Sequence, residues 1–230
     1  MPTYKDIEYS LTRSKRKTAS LHIERNGSVS LMIPEGLSDT EADGIIESKL
    51  YWIYKSLAEW EDLNAAKVKR EFVSGEGFLY LGRSYRLKFV EEQRAPLMLK
   101  NGYFCLRTSK AARQVEPHEA FKEFYRTKGK DRIPERVELY RKKLGVKPST
   151  VRVMELKHRW ASCSDNGALN FHWKCMMAPL LILDYIVVHE LAHLIHPRHT
   201  TAFWNEVDKV LPDYLERKEW LKKRGAEMDL

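Results

Sequence analysis

Two hydrophobic periods alternate along this chain. Ser20-Leu-His-Ile-Glu24 and Val29-Ser-Leu-Met-Ile33 alternate apolar and polar residues, with Asn26-Gly27 between them. That pattern predicts a strand hairpin within a strand-rich segment from residue 1 to about 35, closed by Pro34-Glu-Gly36. From Ser38 or Asp39 the period changes. Ile45, Ile46, Leu50, Ile53, Leu57 and Trp60 fall on one side of a helix, predicted to run as a single element through about Lys69. Strands return between Phe72 and Leu106, where Arg83 to Val90 alternates and Gly75, Gly77, Gly82 and Asn101-Gly102 supply turns. Glu116 to Leu144 is charged and helical, with Gly129 and Pro134 as the points where it can break. Ser149–Met154 and Ala168–Trp173 read as strands flanking a Ser-Asp-Asn-Gly turn. Leu180 to Ile195 is then apolar on nearly every side, the mark of a buried helix. A further helix is predicted from Thr200 or Thr201 to about Val210, with Phe203, Trp204, Val207 and Val210 packing inward and Pro212 limiting its extent.

The buried helix carries His189-Glu190-Leu191-Ala192-His193. Residues four apart lie one above the other on a helix face, so both imidazoles can reach one metal ion. Two imidazoles and a carboxylate in so apolar a segment are costly to bury without partners, and a metal supplies one. Glu190 follows the first ligand and is placed to activate a metal-bound water. A catalytic zinc usually takes three protein ligands and leaves one position for water. Pro197 disfavours helical geometry at His196, so the helix should end there and the chain turn. His199, six residues beyond His193, can then swing back to the metal. His196 competes for that place but lies on or at the end of the same helix, so geometry favours His199. The spacing is that of the metzincins, yet His196 occupies their glycine position and no Met-turn can be assigned.

Three further segments accompany this motif: Met154-Glu-Leu-Lys-His-Arg-Trp-Ala-Ser-Cys-Ser164, Gly167-Ala-Leu-Asn170 and His199-Thr-Thr-Ala-Phe-Trp204. Together they resemble the YgjP-like metallohydrolase family, which is similar to the SprT-like, or WLM, zincins. The chain has Ala161, Arg198 and Thr200 where the family pattern has glycine, asparagine and serine. The resemblance extends to Arg13-Ser-Lys-Arg-Lys17, Trp52-Ile53, Gly75-Glu-Gly77 and Leu81-Gly82. It implies an α+β fold with a zincin-like catalytic C-terminal half, residues 111–230, built on the H-E-x-x-H helix and a small sheet. A β-rich N-terminal half, residues 1–110, precedes it and contains the helix near 38–69. It also implies one zinc ion bound by His189, His193 and His199, with Glu190 as general base.

The strand before a zincin's active-site helix often borders the cleft, which would set Gly167–Trp173 beside the metal and let a peptide add there as a strand. Arg159, Ser162 and Asn170 are the candidate substrate-binding residues; Arg159 suits an oxyanion or a phosphate. His158 and His172 are expected in the surroundings of the ligands or at the surface.

The net charge of +8 makes anionic partners plausible. Three cysteines, Cys105, Cys163 and Cys175, form no C-x-x-C pair and argue against a disulfide framework. Met1 to Ser10 carries Lys5, Asp6 and Glu8 and no apolar core, so it does not read as a secretory signal, and a cytoplasmic location is expected. The stretch Met176–Ile195 contains Asp184, His189, Glu190 and His193 and is a core helix rather than a membrane span.

These features predict a zinc-dependent hydrolase, foremost a metallopeptidase with a metal-activated water. Two alternatives stay open. One is a nucleoside triphosphate pyrophosphatase, with Arg13, Lys15, Arg16 and Lys17 facing polyphosphate, although no P-loop is present. The other is a DNA-associated protease of the SprT type, whose basic footprint would join residues 13–17 to Lys67–Arg70 or Arg217–Arg224.

Overall fold

The computed structural model describes residues 1–24, 26–64, 69–108, 116–156 and 159–230, apart from the side chain of Leu63. His158, Lys67 and the residues next to position 110 lie outside them. The chain is α+β and divides into two compact units, Met1–Lys67 and Val68–Leu230.

The first unit is a sheet of β1 (Thr3–Tyr4), β2 (Ile7–Ser14), β3 (Ser20–Ile23) and β4 (Val29–Pro34), in the order β1-β2-β4-β3. The predicted hairpin is β3–β4, paired antiparallel from Ile23↔Val29 onward, with Gly27 at φ 82° in its turn. Alternate residues Ile7, Tyr9, Val29, Leu31 and Ile33 are buried against Ala42, Ile46 and Ile53. Those three sit on two helices, α1 (Asp39–Ser48) and α2 (Leu50–Asn64), where one was expected. The Lys49 N–H bonds to the Ile46 carbonyl at 3.0 Å, a three-residue turn that interrupts the helical ladder. Ser38 and Glu41 cap α1 reciprocally.

The second unit begins with β5 (Gly77–Tyr80), β6 (Arg83–Val90), β7 (Leu97–Lys100) and β8 (Tyr103–Arg107), in the order β5-β6-β8-β7. Leu81-Gly82 and Asn101-Gly102, all at positive φ, close the two hairpins. The contacts divide the chain well before residue 110 because this sheet shares one core with the C-terminal helices. Phe78, Leu87, Leu97, Phe104 and Leu106 pack with Phe121, Phe124 and Tyr125 of α3 (Pro117–Leu144). No break occurs in α3 at Gly129 or Pro134, since its buried face runs from Ala120 to Tyr140. Gly129 serves approach instead: a Cβ there would stand 3.0 Å from Val153.

A three-stranded sheet, β10-β11-β9, follows, with β9 (Thr150–Met154) parallel and β10 (Ala161–Cys163) antiparallel to the central β11 (Ala168–His172). The Ser-Asp-Asn-Gly turn therefore joins β10 to β11, not the two strands that the sequence pattern predicts. β11 leads through a 3-10 turn (Trp173–Met177) into α4 (Leu180–Ala192). Leu81 and Gly82 donate backbone bonds to the Met176 and Met177 carbonyls at 2.9 and 3.0 Å, so the β5–β6 turn seats the chain just ahead of α4. α4 is also tied sideways. Asp184, only 3% exposed, accepts from Arg136 Nε and Nη2 at 2.7 and 2.8 Å and from the Tyr140 hydroxyl at 3.0 Å. α5 (Thr201–Val210) and a highly charged helix that hydrophobic periodicity does not reveal, α6 (Tyr214–Arg224), complete the unit. All three cysteines are free thiols. Among the described residues no helix is long and apolar enough to cross a membrane.

Candidate metal centre

α4 is apolar almost all round, with Ile182, Leu183, Ile186, Val187, Val188 and Leu191 buried, so its polar side chains stand out. Its last helical residue is Ala192, and His193 caps it in right-handed geometry. His189 and His193 thus project from the final turn, and the chain reverses through Pro197. Thr200 restarts helical structure by accepting from the Phe203 N–H at 3.4 Å. This reversal returns His199 to the helix. The ligand nitrogens of His189, His193 and His199 lie within 4.8 Å of one another, and the two Nε2 atoms of His189 and His199 are 2.9 Å apart. His196 instead turns its carbonyl to His193 Nδ1 at 3.2 Å. That bond orients the His193 ring and leaves its Nε2 free for a ligand.

The electrostatics suit a cation. Burial, then the neighbouring imidazoles, pushes His189 down to about 3. Burial also lowers His193 and His199. All three rings are therefore uncharged near neutrality, the form in which imidazole binds metal. Glu190 is 6% exposed, and burial pushes its carboxyl up to about 8, opposed by the Arg159 charge and the Cys163 backbone N–H. Three neutral nitrogen donors beside a buried carboxyl match a zinc-class donor set.

Aromatic rings pack around the triad. The Phe203 ring lies 5.0, 4.6 and 4.8 Å from the rings of His189, His193 and His199. Trp204 stacks on His199 at 5.6 Å, Tyr214 stacks on Trp204 at 5.3 Å, and Lys218 Nζ sits 4.3 Å from the Trp204 centroid. The helical spacing of Phe203 and Trp204 signals only core packing. Their contact with the histidines depends on the fold, as does the approach of Tyr214 and Lys218 from α6.

The other sequence candidates separate. Arg159 stands within electrostatic reach of Glu190. Ser162 and Asn170 are cross-strand partners, with Asn170 Nδ2 3.5 Å from Ser162 Oγ. Strand alternation puts them on the sheet face opposite Ala161, which lines the cavity at Glu190, so they do not join the triad. β11 is paired on both sides and offers no edge to a peptide; β10 does. His172 is neither exposed nor beside a ligand: it is 6% exposed and its Nδ1 accepts from the Lys174 N–H at 3.0 Å, capping the 3-10 turn. Tyr185, Ile186, Trp160 and Leu221 join Ala161, His189 and Glu190 around a cavity of about 190 Å³.

The structure is similar in part to the crystal structure of the metallopeptidase zymogen of Pyrococcus abyssi abylysin, at 28% identity and a TM-score of 0.38, over 42% of this chain and 99% of that one. No curated protein matches the chain. The model of the YgjP-like family, described as a metallopeptidase domain, matches residues 17–224. With nearly the whole chain inside that match, the protein belongs to the YgjP-like family of metallopeptidase domains.

Proposed function

We propose that this protein is a one-zinc peptidase in which His189, His193 and His199 hold the ion and Glu190 is the general base. The observation that carries the reading is the convergence of three uncharged imidazoles within 4.8 Å, next to a buried carboxyl on the same helix. Zinc so held supplies a water acidified to near-neutral pH and polarises the carbonyl of the scissile amide. In its ionised form, favoured by the Arg159 charge, the Cys163 N–H and a bound dication, Glu190 takes the proton of the attacking water and hands it to the departing amine. Its low-dielectric surroundings strengthen that exchange.

The neighbouring surfaces favour a peptide. The Ser164 N–H bonds to the Ala168 carbonyl and the His172 N–H to the Trp160 carbonyl, so Trp160, Ser162 and Ser164 spend their main-chain groups on β11. Ala161 and Cys163 turn theirs to the free edge of β10, and Cys163 meets Glu190 there. An extended substrate can add along that edge and bring an amide to the triad. A pocket lined by Glu190 receives the side chain of the residue that bears the departing amine, because Glu190 must reach that nitrogen. An apolar cavity of roughly 150 Å³ holds a benzene ring. The cavity here, about 190 Å³ with Trp160, Tyr185, Ile186 and Leu221 in its wall, suits leucine or phenylalanine.

The polyphosphate reading and a DNA footprint on residues 13–17 and α6 find less support. The cavity lining contains no cation. Residues 1–67 hold nine basic against eleven acidic residues, and Arg13 pairs with Asp39. On α6, Arg217, Lys223 and Arg224 pair with Asp213, Glu219 and Glu227.

The test is a peptide library cleaved by zinc-loaded protein beside Glu190→Gln. The variant should retain zinc and lose about 100-fold or more of its rate. A variant that cleaves at the wild-type rate would refute the assignment of Glu190.

A further inference from the structure

The β5–β8 sheet buries one face under α3. The opposite face is a charged surface that the metal centre does not use. Register puts Arg86 of β6 beside Tyr103 of β8, and Tyr103 beside Lys100 of β7. Adjacent strands are about 4.8 Å apart, so the three side chains form one row, cation–aromatic–cation. Lys88 stands on the same face two residues along β6, about 7 Å away. Arg86, Lys88 and Lys100 are exposed, and Tyr103 is 45% exposed. Gly77, opposite Arg86 on β5, adds no bulk to the row.

The unit that contains this sheet holds 31 basic and 21 acidic residues, yet several cations of α3 and α6 have acidic partners in or next to their own helices. Arg126, Arg132, Arg141 and Lys142 on α3 pair with glutamates three or four residues away. Among the described residues, Arg86, Lys88 and Lys100 have no ion pair. No acidic residue lies on β5 to β8; Glu91 and Glu92 follow the end of β6, beyond Val90. Three unmatched cations this close repel one another, and a polyanion relieves that repulsion.

We infer that this sheet face is a docking surface for single-stranded nucleic acid, with Tyr103 as the stacking platform and Arg86, Lys88 and Lys100 as phosphate contacts. The exposed ring between two cations decides the class of partner. In a duplex the base faces are already stacked and cannot reach Tyr103, whereas a single strand can splay a base onto the ring while its phosphates meet the flanking charges. An acidic peptide has no use for the ring. A bilayer calls for exposed apolar anchors, and the aliphatic and sulfur side chains that register puts on this face, Leu79, Val90, Met98 and Cys105, are half-buried or buried.

The test is fluorescence anisotropy of a labelled oligothymidylate of about 15 nucleotides with the full chain, over a salt series. Each phosphate contact on a single strand contributes about 0.7 to the slope of log K against log salt, so R86Q/K88Q/K100Q should lower that slope by about 2. Tyr103→Ala should weaken binding about tenfold with the slope unchanged. A control variant, K142Q/K223Q, should bind as the wild type does. The inference is overturned if the triple variant keeps the wild-type slope, if Tyr103→Ala binds as tightly as wild type, or if phosphatidylserine vesicles bind where the oligonucleotide does not. Zinc content and circular dichroism, unchanged in both sheet variants, would tie any loss to the surface rather than to folding.

Discussion

Arg136→Met isolates the bond that fixes the metal-bearing helix to α3. In the wild type, Asp184 sits five residues ahead of His189, 3% exposed, with two guanidinium bonds at 2.7 and 2.8 Å and the Tyr140 hydroxyl at 3.0 Å. Methionine fills much of the arginine's volume but leaves the carboxylate with the hydroxyl alone. Removing one partner of a buried ion pair costs about 3–5 kcal/mol, because the other charge stays desolvated. The Arg136 side chain retains 22% exposure, so water reaches part of the pair and the lower end, about 3 kcal/mol, applies. Against a typical stability of roughly 5–15 kcal/mol this is a large loss. Urea unfolding followed by tryptophan fluorescence measures it, Trp173 being buried in the same core. The double variant R136M/D184L removes both charges and should recover to within about 1 kcal/mol of wild type. The reasoning fails if R136M loses less than about 1 kcal/mol, or if the double variant is no more stable than R136M.

Other outcomes follow from the same geometry. His199→Ala should weaken zinc binding by more than the roughly 10–100-fold typical of outer hydrogen bonds, while His196→Ala, which keeps the carbonyl facing His193, should bind nearly as wild type; equilibrium dialysis against a zinc chelator distinguishes them. Ala161→Leu should fill the cavity beside Glu190 and lower kcat/KM about tenfold or more for substrates with leucine or phenylalanine on the amine side of the cut, relative to alanine, as competition between two peptides would reveal. His172 is neutral in the fold, pushed down to about 4 by burial, and titrates near 6.5 when unfolded. Its stabilisation is complete above about 6.5 and is lost as pH falls toward 4, by at most about 3 kcal/mol, and His172→Asn, whose side-chain carbonyl can still accept from Lys174, should flatten that part of a stability–pH curve. Gly82→Ala should cost about 2 kcal/mol or more in thermal unfolding, since φ is 78° and the added Cβ would stand 2.8 Å from Pro179.

The sequence by itself determined the elements whose residues repeat a local rule. The β3–β4 hairpin followed from alternation around Asn-Gly, and α5 from Thr200 and the spacing of Phe203 and Val207. The two histidines and the glutamate were legible because four residues nearly complete a helical turn, and Pro197 indicated the reversal that frees His199. Local rules did not reach α3, continuous through Pro134 because a long buried face outweighs one lost backbone bond. Nor did they show β10, three residues long, or α6, whose charges mask its contacts. Only the tertiary structure decided which strand edge is free, which face of the β10–β11 pair Ser162 and Asn170 occupy, and that Tyr214, Lys218 and Leu221 come from α6 to the histidines. The physical reason is the range of the information. A helix face or a turn is set by neighbours in sequence, whereas an edge, a cavity wall or the burial that shifts Glu190 exists only once segments far apart in the chain exclude water together.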